Sequence, residues 1–358
     1  MTTFEQLNLP KSVQKAIDDL GFTSPTPIQE KTFSVIMSGR DMMGIAQTGT
    51  GKTFAYLLPL LKLYKFTPGH TPKIVILVPT RELVVQVVEE VEKLTKYMSV
   101  RTIGIFGGVN INTQKTTVYQ GCDILVGTPG RIMDLTLDNV IRFEEMQKLV
   151  IDEFDEMLNL GFRTQLTAIL AMMPKKRQNI LFSATMTDEV DGILNDYFDY
   201  PEEVTLSASG TPLENIKQIT YNVPNFNTKV NLLKHLLETN EDMSRVLVFV
   251  NNKKISDMLH VRIEEDFEGQ FGVIHSNKSQ NYRLSTMAEF QEGNLRGLIT
   301  TDIMARGLDI SNITHVINFE MPEMPELYMH RIGRTGRADA TGTAISFIAP
   351  REEEFKVE

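Results

Sequence analysis

The sequence predicts two consecutive α/β domains, each built on a parallel sheet flanked by helices. At 358 residues the chain exceeds the usual size of one domain. Short apolar runs alternate with helix-like segments, a pattern typical of buried parallel strands. This series ends near residue 206 and starts again after residue 215. The expected fold class is therefore α/β, with two domains joined by a short linker.

The first series of apolar runs predicts the strands of the amino-terminal domain. The runs are IVILVP (74–79), TIGIFGG (102–108), DILVGTP (123–129), KLVIDE (148–153) and NILFSAT (179–185). Between the first two runs, Leu83, Val87, Val91 and Leu94 recur at helical spacing. This stretch predicts one βαβ unit.

The second series predicts a carboxyl-terminal domain of the same kind. Its runs are RVLVFVN (245–251), GQFGVIH (269–275), LRGLITTD (295–302), ITHVINF (313–319) and GTAISFI (342–348). LSASGTPLEN, between the two series, is rich in residues that favour turns and linkers. We therefore expect domains at 1–206 and 216–358 with a linker at 207–215.

Composition excludes several classes of protein. A single cysteine excludes an intramolecular disulfide framework, and no Cys/His cluster has metal-ligand spacing. No apolar run reaches the roughly 18 to 20 residues of a membrane span, so we expect a cytoplasmic protein without a membrane anchor. The net charge of −10 argues against capture of nucleic acid by bulk attraction. The acidic end, REEEFKVE, is expected to be a solvated face.

The segment AQTGTGKT predicts a phosphate-binding loop. It follows the apolar run DMMGI and precedes the helix-like FAYLLPLLKLY. Gly49 and Gly51 allow backbone amides to turn toward phosphate oxygens, Lys52 supplies charge, and the Thr53 hydroxyl suits Mg²⁺. The alternative is a glycine-rich turn that only joins a strand to a helix. The loop residues expected to bind nucleotide are Ala46, Gln47, Thr48, Gly49, Thr50, Gly51, Lys52 and Thr53.

Two further groups of charged residues suit nucleotide hydrolysis. Asp152 and Glu153 end a predicted strand, where open α/β sheets bind ligands. Asp152 could hold Mg²⁺ through water and Glu153 could polarise the attacking water; the alternative is an acidic helix start. In HRIGRTGR, Arg334 and Arg337 could stabilise charge on the transferred phosphoryl group. A solvated arginine patch is the alternative there.

These motifs together resemble the core of a DEAD-box RNA helicase. The resemblance rests on an ordered series that covers essentially the whole chain. The series comprises GFTSPTPIQ (21–29), AQTGTGKT, PTREL (79–83), GG (107–108), TPGR (128–131), DEFD (152–155), SAT (183–185), QNYR (280–283), TTDIMARGLD (300–309) and HRIGRTGR. It implies two RecA-like domains with the active site between them, ATP and Mg²⁺ as cofactors, and RNA as the partner.

The resemblance also implies roles for individual residues. Within an adenine-reading segment, 4–29, Phe22 would stack on the base and Gln29 would read its edge, while Asp309 would contact the ribose. Domain closure would be coupled to hydrolysis through Asp155, Ser183 and Thr185, with Ser183 and Thr185 hydrogen-bonded to Asp155. His330, which opens HRIGRTGR, is a further candidate for this coupling; a structural hydrogen bond is the alternative. The residues implied to bind RNA, with little sequence specificity because they address its backbone, are Arg81, Gly108, Thr128, Arg131, Arg283 and Thr301.

One departure from the family pattern stands beside the expected catalytic residues. Phe154 occupies the position of the family's usual alanine. We expect hydrolysis to persist, since Asp152, Glu153 and Asp155 remain, although the larger ring could change coupling.

Three functions remain open from the sequence. The first is an RNA helicase that binds single-stranded RNA across both domains, bends it, unwinds short duplexes and releases RNA after hydrolysis. The others are an ATP-gated RNA clamp or ribonucleoprotein remodeller, and a related DNA translocase. The protein is expected to act as a monomer, with ribonucleoprotein components as possible partners.

Overall fold

The computed structural model describes residues 3–46, 49–66, 69–206, 215–302, 312–336 and 341–355, apart from the side chain of Glu326. The chain separates into two compact units, Met1–Ser207 and Ala208–Glu358. Nearly all of the predicted linker, 207–215, lies outside the described residues. No helix in the described segments combines the length and apolar character needed to cross a membrane.

The first unit is built on a parallel sheet. Its described strands are β1 (Met42–Ile45), β2 (Ile74–Leu77), β3 (Thr102–Ile105), β4 (Ile124–Gly127), β5 (Lys148–Ile151), β6 (Gln178–Ser183) and β7 (Glu202–Thr205). They lie in the order β3-β4-β2-β5-β6-β1-β7. Every neighbouring pair is parallel.

Helices cover both faces of this sheet. Those described are α1 (Lys11–Asp19), α2 (Pro27–Met37), α3 (Lys52–Leu63), α4 (Arg81–Thr95), α5 (Ile111–Tyr119), α6 (Pro129–Leu137), α7 (Phe154–Asn159), α8 (Arg163–Met172) and α9 (Asp188–Tyr197). A short 3₁₀ helix, Phe4–Leu7, precedes them.

Side chains of one strand alternate between two apolar clusters, one on each face of the sheet. In β2, Ile74 and Ile76 join one cluster, while Val75 and Leu77 join the other. Successive side chains of a strand point to opposite faces. In a strand that is covered on both faces, every side chain is buried, so apolar residues do not alternate with polar ones. This arrangement explains the unbroken apolar runs in the sequence.

The second unit repeats the design with a six-stranded sheet in its described part. Its strands are β8 (Ile216–Asn222), β9 (Val246–Phe249), β10 (Phe271–Ile274), β11 (Gly297–Thr300), β12 (His315–Asn318) and β13 (Gly342–Ile348). The order is β10-β11-β9-β12-β13-β8, and all pairs are parallel. The described helices are α10 (Phe226–Thr239), α11 (Lys253–Glu264), α12 (Gln280–Gln291) and α13 (Pro325–Ile332), followed by a 3₁₀ helix, Pro350–Phe355.

The structure confirms the predicted α/β class, and each apolar run named above contains a strand. The edge strands β7 and β8 were missed because their sequences, EEVT and IKQITYN, are largely polar. The expectation of a wholly solvated acidic end is wrong. Glu352 is buried and its carboxylate lies 2.5 Å from the Lys229 ammonium, a partner more than a hundred positions away in the sequence.

Candidate functional site

The predicted functional residues of the first unit lie at one edge of its sheet, beyond the carboxyl ends of the strands. Such an edge is where open parallel sheets bind ligands. The phosphate loop follows β1, the acidic residues follow β5, and Ser183 ends β6. Arg81 follows β2, Gly108 follows β3, and Thr128 follows β4.

Strand order divides these residues into two groups. The three strands β5, β6 and β1 are consecutive in the sheet and carry the residues expected to bind ATP. The three strands β3, β4 and β2 are also consecutive and carry residues expected to bind RNA. We call these groups the nucleotide half and the RNA half of the edge.

The described part of the phosphate loop has the backbone that its glycines predict. Gly49 and Gly51 both have positive φ, 85° and 89°, a conformation that favours glycine. Gly51 directly precedes α3, which begins at Lys52. The first turn of a helix leaves amide N–H groups available to an anion. Ala46 is anchored to the neighbouring strand because its amide donates to the Ser183 carbonyl at 3.0 Å.

Lys52 and Asp152 face each other as a buried pair of opposite charges. The ammonium Nζ lies 4.0 Å from the carboxylate Oδ1, and both side chains are at least nine-tenths buried. Within the described residues, Lys52 Nζ has no hydrogen-bond partner. Burial raises the pKa of Asp152, while the nearby Lys52 charge opposes that shift. A buried ammonium that makes no close bond is suited to receive an anionic ligand.

Glu153 has an unusual backbone conformation next to this pair. Its φ and ψ are 52° and 53°, in the left-handed region, directly before α7. A non-glycine residue there costs on the order of 1–2 kcal/mol. Such strain is concentrated at functional sites. The conformation places the buried Glu153 carboxyl between the end of β5 and the helix start.

Asp155 connects α7 to the segment after β6. Its Oδ2 accepts hydrogen bonds from the Thr185 hydroxyl at 3.0 Å and from the amides of Thr185 and Ala184 at 3.0 and 3.2 Å. The predicted hydrogen bond from Thr185 is therefore present. The predicted bond from Ser183 is wrong: its hydroxyl donates to the Thr185 carbonyl at 2.7 Å. Ser183 still belongs to β6, so its short side chain reaches the turn that follows and not the carboxylate.

Phe22 and Gln29 lie beside the phosphate loop. The Phe22 side chain is half exposed and meets the Phe54 ring edge-on, with centroids 5.6 Å apart. Gln29 is buried: its Oε1 accepts from the Thr26 amide at 3.0 Å and its Nε2 donates to the Gly51 carbonyl at 3.2 Å. Gln29 therefore ties the start of α2 to the phosphate loop. Its role in reading adenine stays a prediction.

Two RNA-half residues, Arg81 and Gly108, are in direct contact. Gly108 has a φ of 82°, and a Cβ there would collide with the Arg81 guanidinium. Thr128 is buried at the start of α6, and its amide donates to the Ile105 carbonyl at 3.2 Å. Three loops that are distant in sequence thus meet at one end of the sheet edge.

Arg131 is buried, which the sequence did not indicate. It donates through Nη1 to Gln114 Oε1 at 2.6 Å and through Nη2 to the Val109 carbonyl at 3.1 Å. These bonds fix the loop after β3 against α6. The role of Arg131 in RNA contact stays a prediction, and Gln114 is a supporting residue that sequence reasoning missed.

The arginines of the second unit differ in the contacts that they make. Arg283 is buried in α12 and bonds Gln280, while Thr301 follows β11. Arg331 is almost fully buried and carries hydrogen bonds to Asp302, whereas Arg334 Nε donates to the His330 carbonyl at 3.3 Å. The sequence analysis assigned roles to Arg334 and Arg337 and gave no sign that Arg331 is buried.

Four predicted site residues lie outside the described residues. They are Gln47, Thr48, Asp309 and Arg337. Their roles stay predictions.

The strand, glycine loop and helix around Lys52, together with the acidic end of β5, define a P-loop nucleoside triphosphatase. Two family models match the chain: "DEAD/DEAH box helicase" over residues 26–193 and "Helicase conserved C-terminal domain" over residues 228–339.

Curated relatives and solved structures agree with these matches. The chain is 41% identical to the DEAD-box ATP-dependent RNA helicase CshA of Geobacillus kaustophilus, over 98% of this chain and 74% of that protein. It is 39% identical to CshA of Bacillus subtilis, over 98% and 70%. A structure of S. cerevisiae Dbp5 bound to RNA and ADP BeF3 matches with a TM-score of 0.87 and 28% identity, over 98% of this chain and 90% of that chain.

The chain therefore belongs to the DEAD-box family of ATP-dependent RNA helicases. Its two α/β units are RecA-like, and its enzymatic class is an RNA-dependent ATPase.

Proposed function

We propose that this helicase binds single-stranded RNA with both units, bends it, locally unwinds short duplexes and releases RNA after ATP hydrolysis. The observation that carries the proposal is the division of the first sheet edge into a nucleotide half and an RNA half. One continuous edge then holds both ligands on a single sheet. The nucleotide and the RNA would therefore lie beside each other on the first unit, where the second unit can act on both.

In the nucleotide half, Lys52 receives the terminal phosphates of ATP and Glu153 positions the attacking water. The loop amides before α3 hold phosphate oxygens, as helix starts commonly do. The support is a buried ammonium whose nearest described carboxylate is 4.0 Å away, together with the fixed and buried Glu153. Phe22 and Gln29 border the same loop, where they would bind the adenine base of ATP.

The residues present fit an Mg²⁺ ion. Asp152 is a buried carboxylate and Thr53 is a hydroxyl in the first turn of α3. Among the described residues, no three His, Cys, Asp or Glu side chains form a metal cluster. Mg²⁺ is usually held by one or two carboxylates plus the phosphates of a nucleotide, so one buried aspartate is sufficient. Bound with ATP, the ion would neutralise phosphate charge during transfer.

In the RNA half, Arg81, Gly108 and Thr128 present a guanidinium, backbone groups and a hydroxyl at adjacent strand ends. Groups of this kind address phosphates and 2′-hydroxyls without reading base edges. A local site also reconciles RNA binding with the net charge of −10, because only one track needs positive groups. Arg131 stabilises the loop after β3 through its hydrogen bonds to Gln114 and Val109.

In the second unit, we propose that Arg283 and Thr301 continue the RNA track and that Arg334 and Arg337 act on ATP. β10 and β11, which precede Arg283 and Thr301, are neighbours in the sheet. RNA held by both units would bring the arginines to the phosphates, where such groups accelerate transfer by roughly 10³ to 10⁵. Hydrolysis would then depend on bound RNA.

The ring of Phe154 is compatible with hydrolysis. It is fully buried in the apolar cluster that includes Ile151 and Met157. The extra volume is therefore accommodated by the core beneath α7. We expect turnover to be retained at this position.

The experiment compares ATP turnover of the purified chain with RNA, with DNA of the same sequence, and with neither. We expect RNA to stimulate strongly and DNA weakly. Equal stimulation by DNA would favour the DNA translocase, and a rate independent of both would refute the coupling. A strand-displacement assay on a short duplex separates helicase from clamp, because a clamp would turn over ATP without displacing the strand.

Glu153→Gln provides the matched control for that experiment. It preserves the size of the side chain but removes the carboxylate. We expect ATP and RNA to bind together while turnover stops; an undiminished rate would remove Glu153 from the mechanism. Cytoplasmic location, a monomeric state and ribonucleoprotein partners stay predictions.

A further inference from the structure

The two sheets have the same strand order once their strands are matched along the chain. With β8 matched to β1, β9 to β2 and so on up to β13 with β6, the order β10-β11-β9-β12-β13-β8 becomes β3-β4-β2-β5-β6-β1. The strands β12, β13 and β8 are therefore the counterparts of β5, β6 and β1, which carry the nucleotide half. We call the carboxyl ends of β12, β13 and β8 the counterpart edge.

Lys229 has at the counterpart edge the position that Lys52 has in the first unit. Lys52 is the seventh residue after Ile45, where β1 ends, and Lys229 is the seventh after Asn222, where β8 ends. Each lysine lies near the start of the helix that follows its strand, α3 or α10. Both side chains are at least nine-tenths buried.

The two lysines differ in what their ammonium groups contact. Lys52 lies 4.0 Å from Asp152, the residue directly after β5, and its Nζ has no hydrogen-bond partner within the described residues. Lys229 Nζ donates to the carbonyl of Phe319, the residue directly after β12, at 2.8 Å. It also lies 2.5 Å from a carboxylate oxygen of the buried Glu352. A carboxylate of the same chain therefore neutralises the second ammonium.

The loop at the counterpart edge is also unlike a phosphate loop. Only residues 223–225 separate β8 from α10, and none of them is glycine. Pro224 has no N–H to donate. The Asn225 side chain caps α10 by accepting from the Thr228 amide at 3.0 Å, so an amide that an anion would use is already engaged.

The Lys229 ammonium is nevertheless close to a space of ligand size. Lys229 lines a cavity of about 350 Å³ together with residues of the loops after β8, β12 and β13. The Glu352 carboxylate is held at this place by a second bond, since it accepts from the Ala349 amide at 2.8 Å. Removal of that carboxylate would thus leave a buried ammonium beside a cavity.

We propose that Glu352 is an internal substitute for a bound anion. Its carboxylate takes at Lys229 the place that a nucleotide phosphate takes at Lys52, and so prevents the second unit from binding phosphate there. The inference rests on the proposed role of Lys52. A buried ammonium is costly unless an opposite charge accompanies it. In the first unit a ligand supplies that charge, whereas in the second unit the chain supplies its own.

The test is Glu352→Ala, which removes the carboxylate beside the cavity. Hydrogen exchange of β8, β12 and β13 is measured in inorganic phosphate and in chloride of equal ionic strength. In chloride, we expect faster exchange than in the unaltered chain, because Lys229 has lost its partner. Phosphate should slow exchange of the variant by on the order of 3-fold or more and leave the unaltered chain unchanged. A phosphate effect in the unaltered chain, or none in the variant, would overturn the proposal.

Lys229→Met combined with Glu352→Ala is the matched control. The double variant should not respond to phosphate, since the ammonium is gone. It should also exchange more slowly in chloride than Glu352→Ala alone, because no unpaired buried charge remains. This comparison holds even if Glu352→Ala unfolds the second unit. A double variant that responds to phosphate, or that is no more stable than Glu352→Ala, contradicts the proposal.

Glu353→Ala controls for the loss of any acidic residue from this segment. Glu353 is exposed, so its removal should neither speed exchange nor create a response to phosphate. A response equal to that of Glu352→Ala would show that phosphate acts on the net charge of the segment, which contradicts a specific site at Lys229.

Lys52→Ala separates this inference from the function on which it rests. If Lys52→Ala keeps its ATP affinity, the assigned phosphate site of the first unit is wrong, whatever phosphate does at Lys229. If Lys52→Ala loses ATP affinity and Glu352→Ala does not respond to phosphate, only the role of Glu352 is wrong.

Discussion

The two units each bury a basic side chain near acidic groups, but they satisfy it differently. In the second unit, Arg331 uses all of its N–H groups. Nε and Nη2 donate to the two oxygens of Asp302 at 2.6 and 2.7 Å. Nη2 also donates to Asn251 at 2.8 Å, and Nη1 donates to the Glu320 carbonyl at 2.6 Å and to Asn318 at 3.4 Å. In the first unit, Lys52 approaches Asp152 only to 4.0 Å.

The difference is the one expected between a charge that stabilises the fold and a charge that binds a ligand. A guanidinium has five donors, and Arg331 has a partner for each. Its side chain, with the Phe249 ring 5.2 Å from its Cζ, is part of the core of the second unit. Lys52 keeps donors available within the described surroundings. Buried charge is costly unless paired, so the Lys52 site favours an anionic ligand.

Arg331→Met should have the largest effect on stability. It removes both bonds to Asp302 and leaves that carboxylate largely buried without its partner. Breaking a buried pair from one side costs about 3–5 kcal/mol, and Asp302 retains some exposure, so we expect about 3 kcal/mol. Hydrogen exchange of β9, β11 and β12 under increasing urea measures the loss in the second unit.

Arg351→Met is the matched control for that variant. Arg351 is mostly exposed and lies 3.5 Å from Glu320. An exposed ion pair contributes less than about 1 kcal/mol. Equal losses for the two variants would show that the Arg331 contacts are not a stabilising network.

Lys52→Ala should affect ATP binding more than stability. Removal of one partner of a buried charge contact costs about 2–5 kcal/mol of affinity, so we expect ATP affinity to fall by about 30-fold or more. The unfolding free energy should change by less than in Arg331→Met, because the lost ammonium lies 4.0 Å from Asp152 and makes no hydrogen bond within the described residues. Nucleotide titration and urea unfolding measure the two effects.

Lys62→Ala, in the same helix, should show the reverse pattern. Lys62 Nζ donates to the Leu7 carbonyl at 2.7 Å, so its loss should cost about 1 kcal/mol of stability without changing ATP affinity. Retained ATP affinity in Lys52→Ala would remove Lys52 from the phosphate site.

Thr185→Val should have a small effect on stability and a distinct effect on function. It removes one of three donors to Asp155 Oδ2, which costs about 1 kcal/mol. If Asp155 and Thr185 couple hydrolysis to unwinding, fewer strands should be displaced for each ATP consumed. Both rates are measured on the same duplex.

The control is Thr187→Val, two residues later. The Thr187 hydroxyl caps α9 by accepting from the Val190 amide at 3.3 Å, and a lost cap also costs about 1 kcal/mol. Displacement per ATP should remain normal. A matching loss in both variants would assign the effect to stability and not to coupling.

The sequence was sufficient for most of the fold because buried parallel strands have a distinctive composition. IVILVP and RVLVFVN read as strands since both of their faces are covered. The polar edge strands β7 and β8 have no such signal. The pairing of Lys229 with Glu352 also had none, because nothing in a local pattern identifies a partner so far along the chain.

In the candidate site, the sequence likewise predicted the local motifs but not the contacts between them. AQTGTGKT and DEFD identify chemistry through local backbone and side-chain requirements. They do not show that Gln29 joins Gly51, that Ser183 bonds the Thr185 carbonyl, or that Arg131 is buried against Gln114.

The sequence by itself determined which residues are candidates for the chemistry, because phosphate loops, strand ends and helix starts depend on short-range backbone geometry. Only the tertiary structure decided which of them are neighbours. The order β3-β4-β2-β5-β6-β1-β7 separates an RNA half from a nucleotide half, and no local pattern encodes that order. It is set by which apolar strand faces and helices pack together across the whole unit, and so it exists only once the core has formed.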